Sequence, residues 1–237
     1  MPGRLNWWET VLFSVLFLIA AFILVCSPLF EIDKVTVEGN HLLTETEVRA
    51  ASGIVPGSNI FRVQLGEAQA RLEALPLVRR AQLERRFPAE VVIIVEERQP
   101  VALLSIAGEF WEVDVEGVPV RPKAPGWSDL PVITGVRFDD PDLNHVLETV
   151  VKLPAPVVME LSEIHYTPDR RFMLYTFEGI EVRLGQAERL DRKCALLLEI
   201  LSVVRQEGRM VACIDLSEPE KAVVKYTGTG GGGNGEV

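Results

Sequence analysis

LPLVRRAQLERRFPAEVVIIVEERQPVA, residues 75–102, reads as two strands joined by a tight turn. Ala81, Leu83 and Phe87 alternate with Arg80, Gln82, Glu84 and Arg86, the period of a half-buried strand. Pro88-Ala89 turns the chain. Val91 to Val95 is a continuous apolar run, which predicts a strand covered on both faces. Arg79, Arg80, Arg85 and Arg86 fit a solvated strand face with Glu84 inside it, not a nucleic-acid patch. Upstream, Leu65, Ala68, Leu72 and Leu75 form one helix face that Pro76 ends. Before that, Pro56-Gly57 makes a turn. Thr44 with Glu47 fits a capping box for a short helix stopped by Gly53. Val35 and Val37 alternate with Lys34, Thr36 and Glu38, and Gly39-Asn40 ends that strand. The order is β-α-α-β-β over residues 31–99.

Further upstream the chain turns apolar. No residue from Thr10 to Phe30 is charged, and a helix of that length covers about 31 Å at 1.5 Å per residue. The hydrocarbon core of a bilayer is about 30 Å thick. The apolar body is Val11, Leu12, Phe13, Leu16, Phe17, Leu18, Ile19, Phe22, Ile23 and Leu24, joined by Val15 and Val25. Insertion is favoured by about 4 to 7 kcal/mol before the cost of Ser14 and the ends. Trp7 and Trp8 stand where an interfacial aromatic belt would, and Pro28 closes the helix. The run exceeds a signal-peptide core and lacks a clean small-x-small site, so an uncleaved anchor over 10–30 is predicted. Arg4 and the α-amine lie on one side, Glu31 and Asp33 on the other. That asymmetry puts the short segment 1–9 in the cytoplasm and the bulk of the chain outside it.

The full chain of 237 residues carries a net charge of -10 against a positive mean hydropathy of +0.19. The anchor explains the hydropathy. The charge lies beyond it, net -2 over residues 31–98 and net -8 over 99–237. Such a chain is a poor nucleic-acid binder, and its acidic second block predicts a salt-sensitive, partly basic partner surface. That block, 100–226, opens at Pro100. Val101–Ile106 and Phe110–Val115 read as a hairpin around Ala107-Gly108-Glu109. Residues 121–131 read as a loop. Leu143, Val146, Leu147 and Val150 form a helix face ended by Pro154 and Pro156. Strands follow near Ile164, at Phe172–Phe177 and at Ile180–Leu184. A helix over Asp191–Gln206 presents Leu190, Cys194, Leu197, Leu201 and Val204, and Gly208 caps it. Strands Val211–Leu216 and Ala222–Tyr226 finish a mixed α+β domain. The last strand is expected at a sheet edge. Residues 227–237, with six glycines, read as a flexible tail.

The β-α-α-β-β block resembles a POTRA domain. FEIDKVTVEGN at 30–40, PGSNIF at 56–61, the 75–102 stretch, WEVDVEGVPV at 111–120 and LPVITG at 130–135 together resemble the FtsQ family of bacterial cell division, called DivIB in Gram-positive bacteria. The resemblance runs from the anchor to Tyr226. It implies an α+β, membrane-anchored, non-enzymatic divisome scaffold at the septum. A POTRA-type polypeptide-binding module in secretion or envelope protein handling is the alternative; it would use the edge near Val78 to Phe87.

Catalytic patterns do not appear. There is no Gly-rich phosphate loop, no His-Glu-x-x-His and no Gly-x-Ser-x-Gly. The spacing of His41, His145 and His165 does not suggest ligation, so neither metal nor cofactor is expected. Asp139, Asp140 and Asp142 fit either a calcium site or a helix N-terminus. Cys194 and Cys213 could bond or remain two buried thiols. What the chain offers instead is exposed backbone. An edge strand accepts another chain by β-augmentation. Ala222 to Tyr226 is such a segment, with Val223 and Lys225 on one face and Ala222, Val224 and Tyr226 on the other. The family resemblance implies that this strand and its surroundings hold an FtsB-like partner, and with it an FtsL-like one. It implies a site at Asp215, Leu216, Glu218, Glu220, Lys221 and Tyr226, continued along Ala222, Val223, Val224 and Lys225.

Overall fold

A computed structural model describes residues 7–123, 128–227 and 235–236. The chain divides into two compact units, residues 1–98 and 99–237. The first begins with helix α1 (Trp7–Val25). None of it is buried, and it is long and apolar enough to cross a membrane. It starts three residues before the predicted span and ends five before it. The aromatic residues Trp7 and Trp8 extend it backwards. At the other end Pro28 cannot continue an α-helix, and Ser27 caps a 3-10 turn over Pro28–Phe30 instead. Of the predicted segment 1–9, residues 1–6 lie outside the described residues.

The β-α-α-β-β order then follows: β1 (Lys34–Glu38), α2 (Glu45–Ser52), α3 (Leu65–Glu73), β2 (Val78–Arg86) and β3 (Glu90–Glu97). The sheet order is β1-β3-β2, with β3 parallel to β1 and antiparallel to β2. The capping box at Thr44 and Glu47 is complete, and Gly53 ends α2 in the left-handed region. Val48, Ala68 and Leu72 from the helices meet Val35, Val37, Ala81, Val91, Ile93 and Val95 in one core. The continuous run in β3 is explained by its central place. Val91 and Ile93 face the helices, while Val92, on the opposite face, is buried between Thr36 and Glu84 of its two neighbours. Phe87 departs from the expected strand alternation; it sits in the turn after β2 and is 58% exposed. The strand-face arginines pair locally, Arg79 with Glu96 and Arg86 with Glu38. At the far end of β3, the buried Glu97 carboxylate accepts N–H bonds from His41, Leu42 and Leu43 at 2.7–3.0 Å.

The second unit is one mixed sheet with helices against one face. Its strands are β4 (Pro100–Ile106), β5 (Glu109–Asp114), β6 (Pro119–Pro122), β7 (Val132–Thr134), β8 (Leu161–Tyr166), β9 (Phe172–Thr176), β10 (Glu181–Gly185), β11 (Val211–Asp215), β12 (Val223–Tyr226) and β13 (Gly235–Glu236). The helices are α4 (Leu143–Lys152), α5 (Ala155–Val158) and α6 (Leu190–Glu207). The strands run in the order β13-β12-β11-β10-β9-β8-β7-β4-β5-β6. One register row builds the core. Leu104, Ile133, Ile164, Leu174, Val182, Ile214 and Val224 stand side by side across β4 and β7 to β12, and all are buried. Leu143, Val146, Leu147 and Val150 of α4 and Leu190, Cys194, Leu197, Leu201 and Val204 of α6 pack against that cluster. Because strand side chains alternate, the next row lies on the opposite face. It carries Glu163, Tyr175, Glu181, Cys213 and Lys225.

Three elements differ from the sequence reading. The hairpin loop is two residues, Ala107 and Gly108, both at positive φ as a type I′ turn requires. Residues 119–122, read partly as a loop, form β6 against β5. Pro154 and Pro156 end α4 but also start α5, where a proline's fixed φ suits a first turn. Of the loop predicted over 121–131, residues 124–127 lie outside the described residues.

Candidate functional site at the C-terminal sheet edge

The segment 215–226 turns from β11 into β12. It is held by local bonds at each step. The Asp215 carboxylate accepts from the Ser217 N–H at 3.0 Å, and the Leu216 N–H donates to the Arg183 carbonyl at 2.8 Å. Gly185 lets the turn close. A Cβ there would meet Ser217 Cα at 3.1 Å, and its φ is +73°. A 3-10 turn over Pro219–Lys221 follows. Glu220 ties that turn to the start of α6 through Arg189 and Arg192, the latter at 3.2 Å. Hydrogen bonding to Arg189 first, then the charges of both arginines, hold the Glu220 carboxyl below the usual range. Lys221 pairs with Glu218 at 3.6 Å.

Beneath the turn, α6 contributes a feature its apolar pattern does not announce. Lys193 is buried and donates to the carbonyls of Leu184 and Gln186 at 2.7 and 3.0 Å. Burial, with Arg189 nearby, pushes its ammonium below the ordinary lysine range. The lysine fastens the end of β10 to α6, so the loop that carries Ser217 rests on a braced strand.

The predicted site residues separate into two groups. Leu216, Ala222 and Val224 are buried in the core of the unit. Their side chains have no surface to offer a partner, and the row from Leu104 to Val224 explains why. Glu218, Glu220, Lys221 and Lys225 are exposed, and Asp215, Val223 and Tyr226 half-buried. Tyr226 faces the core side, packs against its margin and is capped by the Arg209 guanidinium 3.5 Å from the ring centroid. On the open face, Lys225 stands in line with Cys213 and Glu181, while Val223 stands in line with Asp215 and Arg183. Arg183 and Glu181 pair at 2.7 Å. These two were absent from the sequence-derived set. The polar alternation Glu181, Arg183 within an apolar strand is the signal that marks them.

β12 is not bare. Gly235 and Glu236 pair with Val224 and Val223 in antiparallel register. The predicted tail therefore contains a two-residue strand, while residues 228–234 and 237 lie outside the described residues. Glycine-rich chain can add to an edge because the bonds come from the backbone and not the side chains.

Among the described residues no group of three His, Cys, Asp or Glu is placed to hold a metal. The acidic run at 139–142 serves the turn before α4. Asp140 accepts from the Asp142 N–H at 2.9 Å, and Asp142 pairs with Arg170 at 3.1 Å. Cys194 and Cys213 are both free and buried. Burial, and then the nearby Asp191, push the Cys194 thiol up to about 11.

Known proteins share this arrangement of units. A domain model described as POTRA domain, FtsQ-type, matches residues 30–98. A second, described as cell division protein FtsQ/DivIB, C-terminal, matches residues 102–217. The cell division protein FtsQ of Anaeromyxobacter sp. (strain K) is 29% identical over 221 residues, 86% of this chain and 74% of the relative. The cell division protein DivIB of Bacillus cytotoxicus is 29% identical over 176 residues, 71% of this chain and 68% of the relative. The extracytoplasmic domain of DivIB from Geobacillus stearothermophilus matches 47% of this chain and 97% of its own, at 24% identity and a TM-score of 0.37. With a membrane-spanning helix, an FtsQ-type POTRA unit and the FtsQ/DivIB C-terminal sheet in that order, the chain belongs to the FtsQ/DivIB family, the non-enzymatic cell-division proteins of the bacterial divisome.

Proposed function

We propose that the chain is a single-pass scaffold with its N-terminus in the cytoplasm and both folded units outside it, at the division septum. There it links division proteins by extracytoplasmic contacts. The contact at the second unit is β-augmentation on β12 by an FtsB-like partner that brings an FtsL-like one. One observation carries this reading. β12 ends the sheet apart from two tail residues, and beyond Val223 and Val224 it presents Lys225 and Tyr226 with no strand beyond them among the described residues. A partner strand of four or five residues takes the place of Gly235–Glu236 and extends the pairing. At a net of about 1 kcal/mol per backbone bond, the mode supplies modest affinity. Confinement of both partners to one membrane supplies the rest. Specificity falls to the exposed side chains beside the edge, Glu218, Lys221 and Lys225, and to the half-buried Val223. Each surface charge pair contributes at most about 1 kcal/mol.

The test is the full chain carrying Lys221→Glu and Tyr226→Ala, titrated with its FtsB–FtsL partner. A loss of tenfold or more in affinity is expected, with amide exchange in β10 unchanged as the check on folding. Unchanged affinity refutes the site.

A further inference from the structure

The end of α1 and the nearest end of the POTRA sheet form one surface. The Asn59 amide donates to the carbonyl of Val25, the last helical residue, at 2.7 Å. Residues 57–60 pair with the chain just after the helix. Gly57 N–H donates to Ile32, Ile32 N–H to Ser58, and Ile60 N–H to Phe30. The Asp33 N–H donates to Ala89, which brings in the turn after β2. Because β1 and β3 are parallel and β2 runs against them, the starts of β1 and β3 and the end of β2 lie at this same end of the sheet.

Aromatic rings gather there. Phe30 and Phe61 have ring centroids 5.1 Å apart, and Phe61 and Phe87 5.3 Å apart. Leu29, Phe61 and Phe87 are 57%, 43% and 58% exposed. Phe87 and Phe61 give little to the core of the unit, and an exposed apolar cluster of this kind marks a contact. The charges at this end of the sheet are of both signs: Lys34, Arg62, Arg85 and Arg86 beside Glu31, Asp33, Glu84 and Glu90, with Lys34 and Glu90 paired at 3.3 Å.

We propose that this surface docks into the bilayer interface on the side where α1 leaves the membrane. The 19 residues of α1 span about 28 Å, close to the hydrocarbon thickness. Val25 therefore lies near the hydrocarbon boundary, and Asn59, bonded to it, holds the 55–61 loop at headgroup depth. Headgroup regions extend about 5 to 7 Å beyond the hydrocarbon on each side. Leu29, Phe61 and Phe87 fall in that zone, where aromatic and leucine side chains partition favourably. The mixed charges make the contact apolar, so it does not require anionic lipid. The POTRA unit then stands fixed on the membrane beside its own helix, with β2 and β1 as upright edges. The inference rests on α1 spanning the bilayer.

The experiment places a photoreactive phenylalanine analogue at single positions of the full chain in phosphatidylcholine nanodiscs and detects lipid adducts by mass spectrometry. Position 17, inside α1, reports the span. Position 42 is the apolar control at the opposite end of the sheet, about 17 Å away along the five residues of β1. Lipid adducts at 61 and 87 at least fivefold above those at 42 support the docking. So does their loss from position 29 in a Phe61→Ser, Phe87→Ser variant. Adducts at 17 with only the level of position 42 at 61 and 87 overturn the docking and leave the span intact. Adducts to protein in place of lipid at 61 and 87 also overturn it. Absence of adducts at 17 overturns the span and the docking together.

Discussion

Replacing Glu97 with alanine tests how the POTRA unit is closed at its far end. Its carboxylate is 6% exposed and accepts three backbone N–H bonds from one loop. A hydrogen bond to a charged group contributes about 1.5–3 kcal/mol. His41 and Leu42 are exposed, so their N–H groups recover water once the carboxylate is gone, which returns much of two bonds. The expected net loss is about 3 kcal/mol, or roughly 150-fold in the opening equilibrium. Hydrogen exchange of the full chain reads it directly. Protection over 90–97 falls by about two orders of magnitude, while β10 in the other unit keeps its rate. Protection over 90–97 within threefold of wild type refutes the reasoning. The pH dependence carries its own sign. Burial alone raises this carboxyl, but the three N–H donors outweigh it, and its pKa lies below the ordinary value. A depressed carboxylate contributes fully above the unfolded pKa and loses its contribution as pH falls through the folded one. The wild type's margin over Glu97→Gln therefore shrinks only below about pH 4.5.

Two glycines separate crowding from strain. Gly135→Ala puts a Cβ 1.9 Å from the Tyr166 carbonyl oxygen at φ +83°, whereas Gly179→Ala at φ +82° meets nothing within 4 Å. Urea unfolding is expected to show a loss of more than about 3 kcal/mol for the first and about 1 kcal/mol for the second; equal losses refute the clash. Thiol alkylation of the folded chain in detergent at pH 8 is expected to label exposed Cys26 and spare Cys194 and Cys213 until unfolding. Equal labelling at Cys194 refutes its burial. Removing residues 228–237 uncovers Val223 and Val224. Partner affinity is then expected to rise by up to about 30-fold, the worth of two backbone bonds, and a fall refutes the proposed site.

The POTRA unit was legible because each of its elements obeys a local rule: capping at Thr44 and Glu47, a stop at Gly53, alternation along β2, an unbroken run in the central strand. The site was less so. Leu216 entered the candidate site through the family resemblance, and the strand-end pattern alone did not show that its side chain lies on the side the helices cover. The row from Leu104 to Val224 settles that, and it is a property of seven strands in register, not of any one of them. Lys193 hid inside an apolar helix face because its partners are carbonyls, which every sequence has. β6 and α5 were obscured by prolines, which punctuate loops but also fit edge strands and first helical turns. Gly235–Glu236 carries no hydrophobic signal at all.

That last pair has a consequence for solubility. A wide sheet ending in bare backbone recruits any extended chain, including another copy of itself. Two bonded residues shield the edge without locking it. At about 1 to 2 kcal/mol the shield leaves the edge open only a few per cent to about a sixth of the time. Stray peptides meeting it by diffusion find it mostly shut, whereas on the function proposed above a tethered partner would make repeated attempts. Gly235 and Glu236 thus cover part of the β12 backbone by main-chain pairing alone, which shortens the bare edge without adding an apolar surface of their own.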